Sequence, residues 1–113
     1  MNNIQFTVTD EFAREFKRLK KKYQSLGDDI RQFKAEIERN PDAGVDLGSN
    51  LRKIRLSIKS KGKGKSGGGR IISYNMVASI QPKQIILVTI YDKNENDSIS
   101  IINIKQILKR NGF

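Results

Sequence analysis

Ile4, Phe6 and Val8 alternate with polar neighbours, the period of two that marks a short strand. Thr9-Asp10-Glu11 then offers a cap and two acids for the positive end of a helix. Phe12, Phe16, Leu19, Tyr23 and Leu26 follow at helical spacing, one apolar face that Gly27 is expected to end. Asp28-Asp29 opens a second helix with Ile30, Phe33 and Ile37 on one side, stopping before Asn40-Pro41. So short a connection predicts an antiparallel helical hairpin.

Asn40 to Asn50 is turn-rich and reads as a loop. After it the period returns to two. Ile54, Leu56 and Ile58 alternate with Lys53, Arg55, Ser57 and Lys59, a strand with one buried face and one basic face. Ser60 to Gly69 (SKGKGKSGGG) reads as a glycine–lysine loop, Arg70 to Val77 as a strand and Ile80 to Lys83 as a turn. Gln84 to Tyr91 is apolar almost throughout, as expected of a strand covered on both faces. Ser98 is the expected cap of a last helix reaching about Asn111. Ile101, Ile104 and Leu108 lie on one side of it, and Ile99, Ile102 and Ile107 on another that is free for a partner. These elements predict one α+β domain over residues 1–113, with an N-terminal helical hairpin on a small antiparallel sheet and a C-terminal helix.

Composition narrows the chemistry. Sixteen isoleucines favour strands in the core. The longest apolar run, Ile85 to Val88, is far too short to span a bilayer, and the first residues lack a signal pattern, so a cytoplasmic protein without membrane contact is expected. Without cysteine there are no thiolate metal sites or disulfides, and without histidine no imidazole acid, base or ligand. No metal or other cofactor is expected.

The net charge of +10 points to a polyanionic partner. Its placement says more than its size. Residues 1–39 hold 9 basic and 7 acidic side chains, whereas Leu47 to Tyr91 holds 9 basic ones and no acid. Gly64-Lys65-Ser66 resembles the tail of a phosphate-binding P-loop, but the first glycine of that motif would fall on Lys59, and an isoleucine strand follows where a helix belongs. The alternating lysines from Lys59 to Lys65 read as a basic loop rather than an import signal. What remains is a constellation. Lys53 and Arg55 point off one strand face, and Arg70 opens the next strand behind three glycines that would let backbone approach a ligand. Tyr91 and Lys93 lie at the end of the apolar strand. If these strands are neighbours, the groups converge on one basic patch.

Three segments carry a resemblance to a known family: Leu51 to Leu56 (LRKIRL), Ser60 to Ile72 (SKGKGKSGGGRII) and Leu87 to Glu95 (LVTIYDKNE). They resemble the RelE/ParE toxin superfamily, in its RelE/HigB-like branch, over most of the chain from about Phe12 to Leu108. The resemblance implies the toxin of a type II toxin–antitoxin module, an endoribonuclease that cuts mRNA on the ribosome. It also implies a cognate antitoxin, expected to bring an acidic segment and the DNA-binding function of the complex. Lys53 and Arg55 match the paired basic residues of the family's second strand, Arg70 its phosphate-binding arginine, and Lys93 falls near a further basic catalytic position. RelE itself uses a tyrosine farther on, and Asn94 to Ile104 contains none.

Cleavage by a ribose 2′-hydroxyl needs a base, an acid and charge neutralisation at phosphorus. Arginine cannot be the base near neutrality; lysine can if neighbouring positive charge lowers its pKa. Arg55 and Arg70 are therefore the expected phosphate ligands, Lys53 or Lys93 the proton-transfer group, and Tyr91 a further candidate. Lys59, Lys61, Lys63 and Lys65 are expected to grip RNA backbone. The alternatives are a non-enzymatic, ParE-like toxin that binds DNA gyrase, which needs no basic constellation, and a plain RNA- or DNA-binding module.

Overall fold

A five-stranded sheet in the order β1-β5-β4-β3-β2 organises the chain. Its strands are β1 (Ile4–Val8), β2 (Val45–Gly48), β3 (Leu51–Leu56), β4 (Gly69–Asn75) and β5 (Lys83–Asp92). The helices are α1 (Asp10–Lys22), α2 (Leu26–Arg39), the single-turn α3 (Gly64–Gly67) and α4 (Ile101–Arg110). The computed structural model describes residues 4–62, 64–76, 83–96 and 98–113, with the backbone alone at residues 65 and 66. Val77 and most of the expected turn from Ile80 to Lys83 lie outside the described residues.

The α+β class, the N-terminal helix pair and the C-terminal helix are as the hydrophobic periods predict. The sheet is not antiparallel throughout. β2 to β5 pair antiparallel, but β1 runs parallel to β5, from Ile4 opposite Lys83 to Val8 opposite Leu87. The long excursion through α1, α2 and three further strands supplies the crossover that a parallel pair requires.

Both faces of the sheet are covered. Phe12, Leu19, Leu26, Ile30, Phe33 and Ile37 from α1 and α2 pack on Ile54, Leu56, Ile71, Ile85, Leu87 and Ile90. Ile104, Ile107 and Leu108 of α4 pack on Leu51, Ile72, Ile86, Val88 and Tyr91. Along β5 the two clusters do not alternate strictly, because Ile72 pairs with Thr89 while Ser73 pairs with Leu87. Val88 is the extra residue of a β-bulge, which reverses the facing of everything after it. Ile90 therefore turns to the α1–α2 side and Tyr91 to the α4 side.

Several expected boundaries move for local reasons. The first helix ends at Lys22, not Gly27. Tyr23 is extended, at φ −123° and ψ 103°, and sends its side chain into the sheet, while Leu26 and Gly27 form the first turn of α2. The expected loop from Asn40 to Asn50 contains β2, which turns into β3 through Ser49 and Asn50, both at positive φ (55° and 64°). That left-handed pair is the geometry of a tight hairpin. The glycine–lysine loop is also structured, with a 3₁₀ turn at Lys59–Lys61 followed by α3. Two of its glycines, Gly68 and Gly69, serve the protein's own backbone. A β-carbon at Gly68 would lie 2.2 Å from the Leu56 carbonyl oxygen, and one at Gly69 would lie 2.9 Å from that of Tyr91.

Ser100, not Ser98, caps α4, its Oγ accepting from the Asn103 N–H at 3.1 Å. The expected second apolar side of this helix does not exist as a free surface. Ile107 is buried, Ile99 packs against the same cluster, and only Ile102 stands exposed. Thr9 caps α1 as expected, accepting from the Phe12 N–H at 3.0 Å.

These glycine environments make opposite predictions. Gly27→Ala meets nothing closer than the Lys20 side chain at 4.0 Å. Removing backbone freedom inside a helix should raise stability by about 0.4–1 kcal/mol. Gly68→Ala should lower it by at least ~1–3 kcal/mol, the usual penalty for overpacking. Urea midpoints of the two variants against the parent chain check both signs.

Candidate functional site

The antiparallel register places three of the expected groups in one row. Arg55 on β3 is directly opposite Arg70 on β4, which is directly opposite Tyr91 on β5. Tyr91 belongs to the α4-side cluster, so all three face that side of the sheet. Adjacent strands lie about 4.8 Å apart, and the row spans roughly 10 Å of sheet. Lys53 pairs with Ile72, two positions along β3, and shares the same face. Lys93 follows β5 directly, and its N–H donates to the Gly68 carbonyl at 3.2 Å. Lys53, Arg55, Arg70, Tyr91 and Lys93 thus come from three adjacent strands and the turn beyond them.

Within the row the groups differ in access. Arg55 is exposed and Lys53 half-buried, and neither makes an ion pair with a described residue. Arg70 is only 8% exposed, and one guanidinium nitrogen donates to the Gly69 carbonyl at 2.9 Å. The Tyr91 hydroxyl is buried with no hydrogen-bond partner among the described residues. Burial pushes the pKa of this phenol up, the charge of Arg70 opposing only in part, so it stays protonated at neutral pH. Two arginines directly opposite each other repel, a cost that a purely structural strand pair has no reason to carry.

A second cluster fixes the row's far end. After the bulge, Asp92 faces the α1–α2 side and is fully buried. Its Oδ2 accepts from the Tyr23 hydroxyl at 2.5 Å; its Oδ1 accepts from Lys61 Nζ at 2.6 Å and from the Asn94 N–H at 2.9 Å. Lys22 Nζ lies 3.6 Å from the same carboxylate. Burial alone would raise the Asp92 pKa, but the hydrogen bonds from Lys61, Tyr23 and Asn94 outweigh it and hold the carboxyl far below the usual range. Next in the turn, Glu95 receives a two-pronged contact from Arg18 at 2.7 and 3.2 Å. The turn carrying Lys93 is therefore tied to α1 and to the glycine–lysine loop on both sides of the lysine.

This cluster reassigns one residue. Lys61 does not project into solvent to hold RNA. Its side chain is 6% exposed, with Nζ shared between Asp92 and the Gly68 carbonyl. Lys59 is exposed, while its N–H donates to the buried carboxylate of Asp29. Lys63 and the side chain of Lys65 lie outside the described residues. Of the three glycines expected to admit a ligand, Gly68 and Gly69 instead admit the backbone of Leu56 and Tyr91. Asp92, Tyr23 and Arg52 emerge only here. Arg52 donates to the Ala43 and Gly44 carbonyls and holds the segment before β2. Tyr23 reads in the sequence as apolar helix surface and Asp92 as the start of a polar loop, and nothing in either neighbourhood links them across 69 positions.

No protein-family model matches this chain. Among the described residues, no helix is long and apolar enough to cross a membrane, and no group of three or more metal-ligating side chains forms.

The buried Asp92 makes stability depend on acid. Its folded pKa lies below the unfolded value of ~3.9, so its contribution is complete above that value and fades as pH falls through and below it. Asp92→Asn leaves Lys61 buried without its counter-ion and should cost about 3–5 kcal/mol at pH 7. Urea unfolding from pH 7 to pH 3 should show a steeper acid loss in the parent chain than in the variant. Equal slopes would mean that the carboxylate is not the titrating group.

Proposed function

We propose that this chain is a toxin of the RelE/HigB-like kind, an endoribonuclease that cuts mRNA, on the ribosome, and so stops translation. One observation carries the reading: Arg55, Arg70 and Tyr91 stand in register on one sheet face, with Lys53 beside them and Lys93 beyond. That arrangement suits a phosphodiester better than it suits a packed sheet.

In the reaction, the 2′-oxygen loses its proton and attacks phosphorus, forming a 2′,3′-cyclic phosphate as the bond to the 5′-oxygen breaks and that oxygen gains a proton. Arg55 and Arg70 neutralise the charge gathering on the non-bridging oxygens, where guanidinium groups offer paired donors. Lys53 or Lys93 takes the 2′-proton. Tyr91 is neutral, and its hydroxyl, buried in the free chain, reaches the leaving oxygen only once substrate binding uncovers it. Lys59, which is exposed, attracts RNA backbone without reading sequence. The cytoplasm is the compartment where such a substrate is met. An antitoxin with an acidic segment would inhibit by covering the exposed basic side chains of the acid-free stretch from Leu47 to Tyr91.

Arg55→Ala is expected to slow single-turnover cleavage ~10²–10³-fold, the usual effect of removing one transition-state donor. Because Arg55 is exposed, stability should stay within about 0.5 kcal/mol. Lys59→Ala should instead weaken RNA or ribosome binding and flatten its salt dependence by ~0.7–0.9 for each phosphate no longer neutralised. Inducing the chain in bacteria and mapping new 5′ ends tests the whole reading. Intact transcripts with accumulating DNA breaks would favour the gyrase-binding alternative.

A further inference from the structure

We infer that the cavity between α1, the end of β5 and α4 is a nucleobase subsite, which seats the base next to the phosphate held by Arg55 and Arg70. The inference rests on the nuclease reading above and adds to it where sequence preference would arise.

The cavity has a volume of about 470 Å³, within the range of small-molecule sites. Topology creates it. β1 stops opposite Leu87, so the last residues of β5 have β4 on one side and no strand on the other. Thr89, Ile90 and Tyr91 border the space left there. Tyr91 belongs both to this wall and to the arginine row, so the cavity begins one strand spacing beyond Arg70. A nucleotide whose phosphate lies on the row has its base within reach of the cavity through one ribose.

Electrostatics argues against a second phosphate inside. The charged lining residues are Glu11, Glu15, Arg14 and Arg110, which sum to zero in a chain of net charge +10. Glu11 is held by Arg110 at 2.6 Å and by Asn111 at 2.9 Å, and Glu15 by Arg18 at 3.0 Å. A neutral, polar, flat group fits such a lining. Asn103 and Gln106 lie three apart on α4 and therefore on one side of it. Both are exposed, and their side-chain amides bond to no described residue. Each amide can present a donor and an acceptor together, the pattern that reads a base edge. Ile99 and Ile107 supply apolar wall, and Tyr91 closes its β5 end.

Asn103→Ala and Gln106→Ala, made singly in the full chain and checked for folding by circular dichroism, test the subsite. Cleavage ends mapped across many transcripts should show a base preference beside the cut in the parent chain, weakened about tenfold in at least one variant. An unchanged preference would overturn the subsite while leaving the nuclease reading intact. Independently of cleavage, side-chain amide resonances of Asn103 and Gln106 should shift on titration with some nucleoside 3′-monophosphates and not others. Shifts of that kind in a chain that cuts no RNA would uphold the subsite and remove the nuclease. Equal shifts with inorganic phosphate, or none with any nucleotide, would overturn it.

Discussion

One extra residue in β5 decides how this protein is arranged. The bulge at Val88 reverses the facing of the strand's last part, so Tyr91 turns toward α4 and Asp92 toward α1. Without it the two would exchange faces. Tyr91 would leave the arginine row, and Asp92 would leave Tyr23, Lys22 and Lys61. A register shift of one residue moves every later side chain across the sheet. Both the candidate site and its support therefore depend on a single irregularity in the most apolar strand.

The two faces then divide the work. On the α4 side, like charges meet across β3 and β4, an arrangement that costs stability. On the α1–α2 side, a fully buried carboxylate gathers three hydrogen bonds and closes the glycine–lysine loop against the turn that carries Lys93. Unpaired, that carboxylate would be strongly destabilising; bonded from several directions, it fixes the geometry of what surrounds it. The repelling groups sit on a frame that opposing groups hold shut a few ångströms away. A support bonded from several directions thus lies beneath a charged, partly open row.

The loop from Ser60 to Gly69 illustrates how one composition admits two physical roles. Alternating glycine and lysine reads as a mobile, solvated arm. In the folded chain it contains a 3₁₀ turn and a helical turn, Lys61 enters the interior, and Gly68 and Gly69 are needed where backbones nearly touch. The lysine's long stem lets its charge reach a carboxylate that composition alone does not reveal.

By itself the sequence determined the type and order of seven elements, four strands and three helices, but not β2 or the helical turn at Gly64–Gly67. The helical spacing from Phe12, the period of two around Ile54 and the doubly apolar run before Tyr91 each follow from which side of an element must leave water. It also singled out Lys53, Arg55, Arg70, Tyr91 and Lys93 as one group, the first four from a stretch with 9 basic residues and no acid, and the strand register brings Arg55, Arg70 and Tyr91 into one row. Only the tertiary structure decided that β1 pairs parallel with β5, that the bulge selects the face of Tyr91, and that Lys61 belongs to Asp92. It also decided that Ile107 is core rather than docking surface. These are contacts between positions far apart in the chain, and a local pattern of apolar and polar residues carries the face of an element but not the partner that the face will meet.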